Sequence, residues 1–147
     1  MMKKIGLVRD PLYRKHKNGE GHPERPERLD AVDDAIDAAT PTVEAAGSSF
    51  VELSPRDASR EEIERVHRPE HFDRIRASAG QPLTRFDMDT SAMEHSFDAA
   101  VRAAGGGLSA LEAIDAGEVD TAFLFSRPPG HHAESDRAMG FCLFNTA

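Results

Sequence analysis

TAFLFSRPPGHHAESDRAMGFCLFNTA, residues 121–147, sets an apolar run directly ahead of a proline pair, a glycine and two adjacent histidines. Thr121 to Phe125 has the pattern of a short buried strand. The loop that follows therefore leaves a strand end. Where strands alternate with helices, the sheet is mainly parallel and functional loops lie beyond the carboxyl ends of its strands. The rest of the chain supplies that alternation. Ile5 to Val8 reads as a strand closed by Asp10-Pro11, and Leu12 to Gly21 as a polar loop. Leu29, Val32, Ile36 and Ala39 recur at helical spacing between Pro26 and Pro41, which predicts a first amphipathic helix. Phe50 to Leu53 predicts a second strand, and Ser59 to Glu64 an acidic helix start interrupted near Pro69. After a loop over Gly80 to Asp89, a long alanine-rich helix is expected from about Ser91 to Ala116, with Gly117 as its stop. The expectation is one α/β domain over residues 1–147, without repeats or linkers.

Composition narrows the function classes. The chain carries 26 acidic against 18 basic residues, a formal charge of -8, which argues against a protein that binds phosphate backbones. No direct nucleic-acid partner is expected. The basic groups are mostly arginine, suited to bidentate pairing with carboxylates. One cysteine, Cys142, excludes an intramolecular disulfide and a cysteine-rich zinc module. The apolar run near the N-terminus is too short for a signal peptide or a membrane span. A cytoplasmic protein without a membrane partner is expected.

Pro128 and Pro129 stiffen the tail and Gly130 permits its turn, so His131 and His132 are held on a rigid loop. Histidine exchanges protons near neutral pH, and two neighbours in different surroundings can divide the roles of base and electrostatic helper. The alternative is one imidazole packed in the core and one in solvent; the local residues leave both open. Adjacent side chains diverge in extended backbone, which disfavours a shared metal ion. His67 and His71, in HRPEH, have a metal-like i, i+4 spacing, but no glutamate follows the first histidine and Pro69 opposes a continuous helix. The glycines of AAGGG, residues 103–107, lack the lysine of a phosphate loop and point to close helix packing. Cys142 lies among Phe141, Leu143 and Phe144, surroundings that raise a thiol pKa and favour packing over nucleophilic chemistry. GHPERPERL, residues 21–29, is either a salt-bridged loop or a site-lining one.

GHPERPERL and RPPGHHA followed by GFCLFN, in that order, resemble the signatures of the zinc-dependent histone deacetylase family, which includes acetoin-utilisation proteins and acetylpolyamine amidohydrolases. VHRPEHFDRI is similar to a further family segment, with His71 where tyrosine is usual. The resemblance implies an arginase-deacetylase three-layer sandwich around a mainly parallel sheet. It implies hydrolysis of an acetyl amide, on acetyl-lysine or an acetylated polyamine, with Zn2+ polarising the carbonyl and activating water. Carried over by motif, His131 would stabilise charge near the water and His132 would act as general base and then acid. Gly140 and Phe141 would line the tunnel for the acyl-lysine stem, Arg28 would belong to an internal acetate channel, and Asp89 would hold the substrate backbone at the rim.

The family's zinc ligands come from an Asp-x-His segment and a later aspartate, and no such set can be assembled here; Asn145-Thr146 also departs from the commoner Asn-Asn. The expectation is therefore the N-terminal part of one catalytic domain, with no tightly held zinc and no zinc-dependent activity of its own. Its exposed sheet surface is expected to favour self-association or a second chain that completes the fold. A non-catalytic remnant or interaction module is the alternative, and a thiol hydrolase built on Cys142 a third reading.

Overall fold

The computed structural model describes residues 2–147. Three short strands, β1 (Lys4–Val8), β2 (Ser49–Leu53) and β5 (Thr121–Leu124), form a parallel sheet in the order β2-β1-β5. Ile5 pairs with Phe50 on one side and Thr121 on the other, and Val8 with Leu53 and Leu124. The central strand is paired on both edges and packed on its faces, and its Leu7 and Val8 are buried. Helix α1 (Glu27–Ala45) connects β1 to β2. Helices α2 (Arg60–Glu64) and α3 (Pro69–Arg76), a small antiparallel pair of strands β3 (Thr84–Arg85) and β4 (Ser91–Ala92), and the long α4 (Ser96–Asp115) connect β2 to β5.

Three boundaries differ from the sequence expectation. Helix α1 runs through Pro41 to Ala45. Pro41 is exposed, so water can satisfy the carbonyl that loses its donor, and the helix ends one turn later at Gly47, whose φ of 75° lets the Ser48 amide donate back to the Val43 carbonyl at 3.0 Å. Helix α4 starts at Ser96 rather than Ser91. The Ser96 hydroxyl accepts from the Met93 amide at 2.8 Å, and the Ser91 hydroxyl donates to the Asn18 carbonyl at 3.0 Å, so serine side chains give the backbone partners that compete with a helix. Within the expected loop after β1, Pro11–Arg14 forms a 3-10 turn whose start is capped by the Asp10 carboxylate accepting from the Leu12 amide at 2.7 Å. That turn buries Tyr13 completely.

The tail belongs to the main core. Leu143 and Phe144 are buried with Ile63, Phe72, Ile75 and Ala100, and the Phe144 ring stacks on Phe72 with centroids 5.7 Å apart. Burial of each such side chain stabilises by about 1.5–3 kcal/mol, which anchors the segment that carries the site. Helix α4 supplies the opposing wall with small residues. A Cβ on Gly105 would collide with the backbone of Arg56–Ala58, so the glycine run serves close packing and the Ala58 amide reaches the Val101 carbonyl at 3.2 Å.

Candidate active site

A buried ion pair supports the histidine loop from below. Arg127, the first residue of RPPGHH, is 3% exposed and Glu24 of the GHPERPERL loop 1%. The guanidinium grips the Glu24 carboxylate through Nε and through Nη2 at 2.8 Å, and Nη1 donates to the carbonyls of Tyr13 and His16, each at 3.0 Å. Burial by itself would raise the Glu24 pKa, but the neighbouring His16 ring and the hydrogen-bonded Arg127 guanidinium hold it down at about 2. His16 Nε2 stands 3.3 Å from Glu24 Oε2 without hydrogen-bond alignment, while its Nδ1 pairs with the Ser96 hydroxyl at 2.7 Å. Asn18 completes the pocket by donating to Glu24 Oε2 at 2.8 Å. A carboxylate and a guanidinium without each other would be strongly destabilising at this depth, by about 3–5 kcal/mol.

Above this base, His131 and His132 are both exposed, with ring centroids 4.2 Å apart and planes tilted by 52°. Their placement is a property of the backbone. A side chain at Gly130 would collide with Thr146, and the His132 amide donates to Cys142 Sγ at 3.4 Å. Gly140 has a φ of 57°, and a Cβ there would fall 2.7 Å from the His132 Cβ and ring. The imidazole of His132 thus lies directly over Gly140. The Cys142 thiol is pushed up by burial and donates to the Gly140 carbonyl at 3.3 Å, so it serves as a packing and hydrogen-bonding group rather than an exposed nucleophile.

The rim is assembled from three loops. Phe141 adopts a φ of 70°, alone among the described non-glycine residues, at a cost of about 1–2 kcal/mol. Its amide donates to the Thr90 hydroxyl at 3.1 Å, and that hydroxyl donates to Asp89 Oδ1 at 3.1 Å. The Phe141 ring meets His22 edge-on at 4.7 Å, and His22 Nε2 donates to the Asp89 carbonyl at 3.0 Å. His132, Gly140, Phe141 and Asp89 therefore form one continuous surface of imidazole, apolar and acidic groups.

The family described as the histone deacetylase domain matches residues 22–147. The chain belongs to the histone deacetylase family. Histone deacetylase 5 of Arabidopsis thaliana is 34% identical over 97% of this chain and 22% of its own length. The histone deacetylase clr3 of Schizosaccharomyces pombe is 33% identical over 99% of this chain and 23% of its own. A crystal structure of the HDA15 HD domain superposes with a TM-score of 0.87 at 32% identity, covering 98% of this chain and 41% of that one. The chain thus spans less than a quarter of the length of these two curated relatives. Its architecture is the family's α/β sandwich with a mainly parallel central sheet.

Within this deacetylase framework, Arg28 stands apart from the rim. It is exposed, 3.9 Å from Glu24, and shares a cavity of about 230 Å3 with Leu29, Val32, Phe125, Arg127 and Pro129. Among the described residues, no three His, Cys, Asp or Glu side chains are arranged to hold a metal ion. A catalytic zinc takes three protein ligands and leaves one position open, so these residues do not by themselves fit the metal. His67 and His71 are buried and stacked, with centroids 4.7 Å apart, and they face the tail. His67 Nε2 accepts from the Asn145 amide and His71 Nε2 donates to the Leu143 carbonyl, both at 2.8 Å. The sequence reading did not identify Thr90, the Glu24–Arg127 pair or this clasp. The signals available were Glu24 within GHPERPERL and Arg127 before the proline pair, two oppositely charged residues inside the two most distinctive motifs. Among the described residues, no helix is long and apolar enough to cross a membrane.

Proposed function

We propose that this chain supplies the acid–base pair and the acyl-binding wall of a metal-dependent amidohydrolase that removes acetyl groups from acetyl-lysine or an acetylated polyamine. The observation that carries this reading is the seating of His132 over Gly140, continuous with Phe141 and Asp89. An aromatic wall beside two exposed imidazoles suits an apolar stem that ends in a polar amide. In this reading His132 takes a proton from the attacking water and returns it to the leaving amine, His131 stabilises the adjacent charge, and the Asp89 carboxylate accepts from the substrate backbone. Arg28 faces product acetate in its separate cavity. In this reading the residues form part of a single catalytic domain, and a zinc ion would need ligands other than the side chains of the described residues.

Family membership supports the reaction class, and the absence of a donor set among the described residues favours a second reading, a non-catalytic module that retains this part of the fold. Assay of the purified chain with zinc and an Nε-acetyl-lysine peptide separates activity from binding. The expected outcome is no chelator-sensitive turnover, together with peptide-induced NMR shifts at His132, Gly140 and Phe141. Chelator-sensitive turnover would overturn the assignment of the metal ligands. Absence of any shift at these residues would overturn the acyl-binding assignment and favour the module.

A further inference from the structure

We propose that Thr90 is a positioning residue whose hydroxyl couples the rim carboxylate of Asp89 to the wall residue Phe141, so that the two move as one unit. The inference rests on the acyl-binding reading of this rim for its purpose, though not for its geometry.

Thr90 ends the turn between β3 and β4. The Asp87 carboxylate closes that turn by accepting from the amides of Asp89 at 3.0 Å and Thr90 at 2.6 Å, and the Phe86 amide donates to the Thr90 carbonyl at 2.9 Å. The Thr90 side chain is fully buried, which is unusual for a residue next to an exposed rim position. A hydroxyl has one hydrogen and two acceptor lone pairs. Here the hydrogen goes to Asp89 Oδ1 and a lone pair takes the Phe141 amide. Both partners are groups that need direction. Asp89 is exposed and otherwise free to turn, and Phe141 holds a left-handed φ that its side chain disfavours.

His22 closes the circuit from the other side. Its Nε2 donates to the Asp89 carbonyl, its Nδ1 accepts from the Glu24 amide at 3.1 Å, and its ring meets the edge of Phe141. Asp89, Thr90, Phe141 and His22 therefore make a closed ring of contacts drawn from three loops. Among the described residues, only the Thr90 hydroxyl hydrogen-bonds both the carboxylate and the wall backbone. A substrate whose backbone engages Asp89 and whose stem lies on Phe141 meets a fixed spacing between the two, set by one oxygen atom.

Thr90→Val keeps the shape and removes the hydroxyl, and Thr90→Ser keeps the hydroxyl. In NMR hydrogen exchange on the full chain, Thr90→Val should speed exchange of the Phe141 amide about tenfold or more, the scale of one lost buried hydrogen bond. Thr90→Ser should restore protection. Asp89→Ala should shift the Phe141 amide resonance although the two residues share no direct hydrogen bond. Unchanged Phe141 protection in Thr90→Val, or failure of Thr90→Ser to restore it, would overturn the proposal. If Thr90→Val does not fold, the Asp89→Ala shift decides, and its absence also overturns the coupling. Titration with an Nε-acetyl-lysine peptide separates the two readings. Wild-type shifts weakened in Thr90→Val support both, whereas no peptide effect alongside an altered Phe141 amide leaves the coupling standing and removes the substrate.

Discussion

Gly140 decides where His132 stands. Its left-handed φ of 57°, and a His132 ring that would lie 2.7 Å from any Cβ placed there, leave no room for a methyl group. Gly140→Ala must therefore strain the backbone or displace the imidazole, with an expected loss of about 1–3 kcal/mol in urea unfolding and altered His132 ring resonances. A variant with wild-type stability and unchanged resonances would show that the seat is not needed. The proximity of Gly140, Phe141, His131 and His132 was legible in the sequence because they lie close together in the tail motifs. Thr90 was not, because its partner Phe141 is distant in sequence and a buried threonine leaves no local pattern.

At the scale of elements, the segment from His67 into α3 acts as a clasp on the tail. His67 and His71 have pKa values lowered first by burial; His71 and the carbonyls of Ser135 and Glu134 also face His67, while the Leu143 carbonyl, Arg74 and Asp136 face His71. His67 must also keep Nε2 unprotonated to accept from Asn145. The folded state therefore prefers both rings neutral. Stability is fully present above the ordinary histidine pKa of 6.5 and falls as acid protonates the unfolded chain, until pH passes the lowered folded values. The loss is at most about 1.4 kcal/mol per pH unit for each ring. Unfolding measured between pH 8 and 5 should show this slope, and His67→Gln, whose carboxamide oxygen can accept from Asn145, should make it shallower. His16 is lowered by burial in the same sense, so part of the slope should remain. A pH-independent midpoint over this range would refute the clasp as a neutral pair. The sequence reading that Pro69 opposes a continuous helix through HRPEH agrees with its place at the start of α3, but it could not show that both rings point at the tail. Their partners Leu143 and Asn145 come from a segment far along the chain, and periodicity carries no information about such pairings.

For the molecule as a whole, alternating apolar runs and helical periods were enough to read a parallel α/β fold, since parallel strands packed between helical layers read as short continuous apolar runs. Strand order was not legible, because β5 pairs with β1 across an intervening stretch that contains four α-helices, strand β2 and the β3–β4 hairpin. Beyond β5 the sheet has no further strand among the described residues, and Phe123 is 54% exposed. Nearby, Ile63, Leu108, Leu111, Ile114 and Leu124 line an apolar cavity of about 450 Å3. An open parallel edge beside apolar surface invites pairing with another chain. Sedimentation velocity should show concentration-dependent association that Phe123→Lys reduces; a single monomeric species at all concentrations would count against it. The ion pair beneath the histidines has a different consequence for what this molecule can receive. Arg127 has five N–H groups, and all five are engaged, by both carboxylate oxygens and the carbonyl of Glu24 and by the carbonyls of Tyr13 and His16. It is a saturated strut rather than a receptor, so among the described residues lining the neighbouring cavity Arg28 is the guanidinium with donors left to offer an anion.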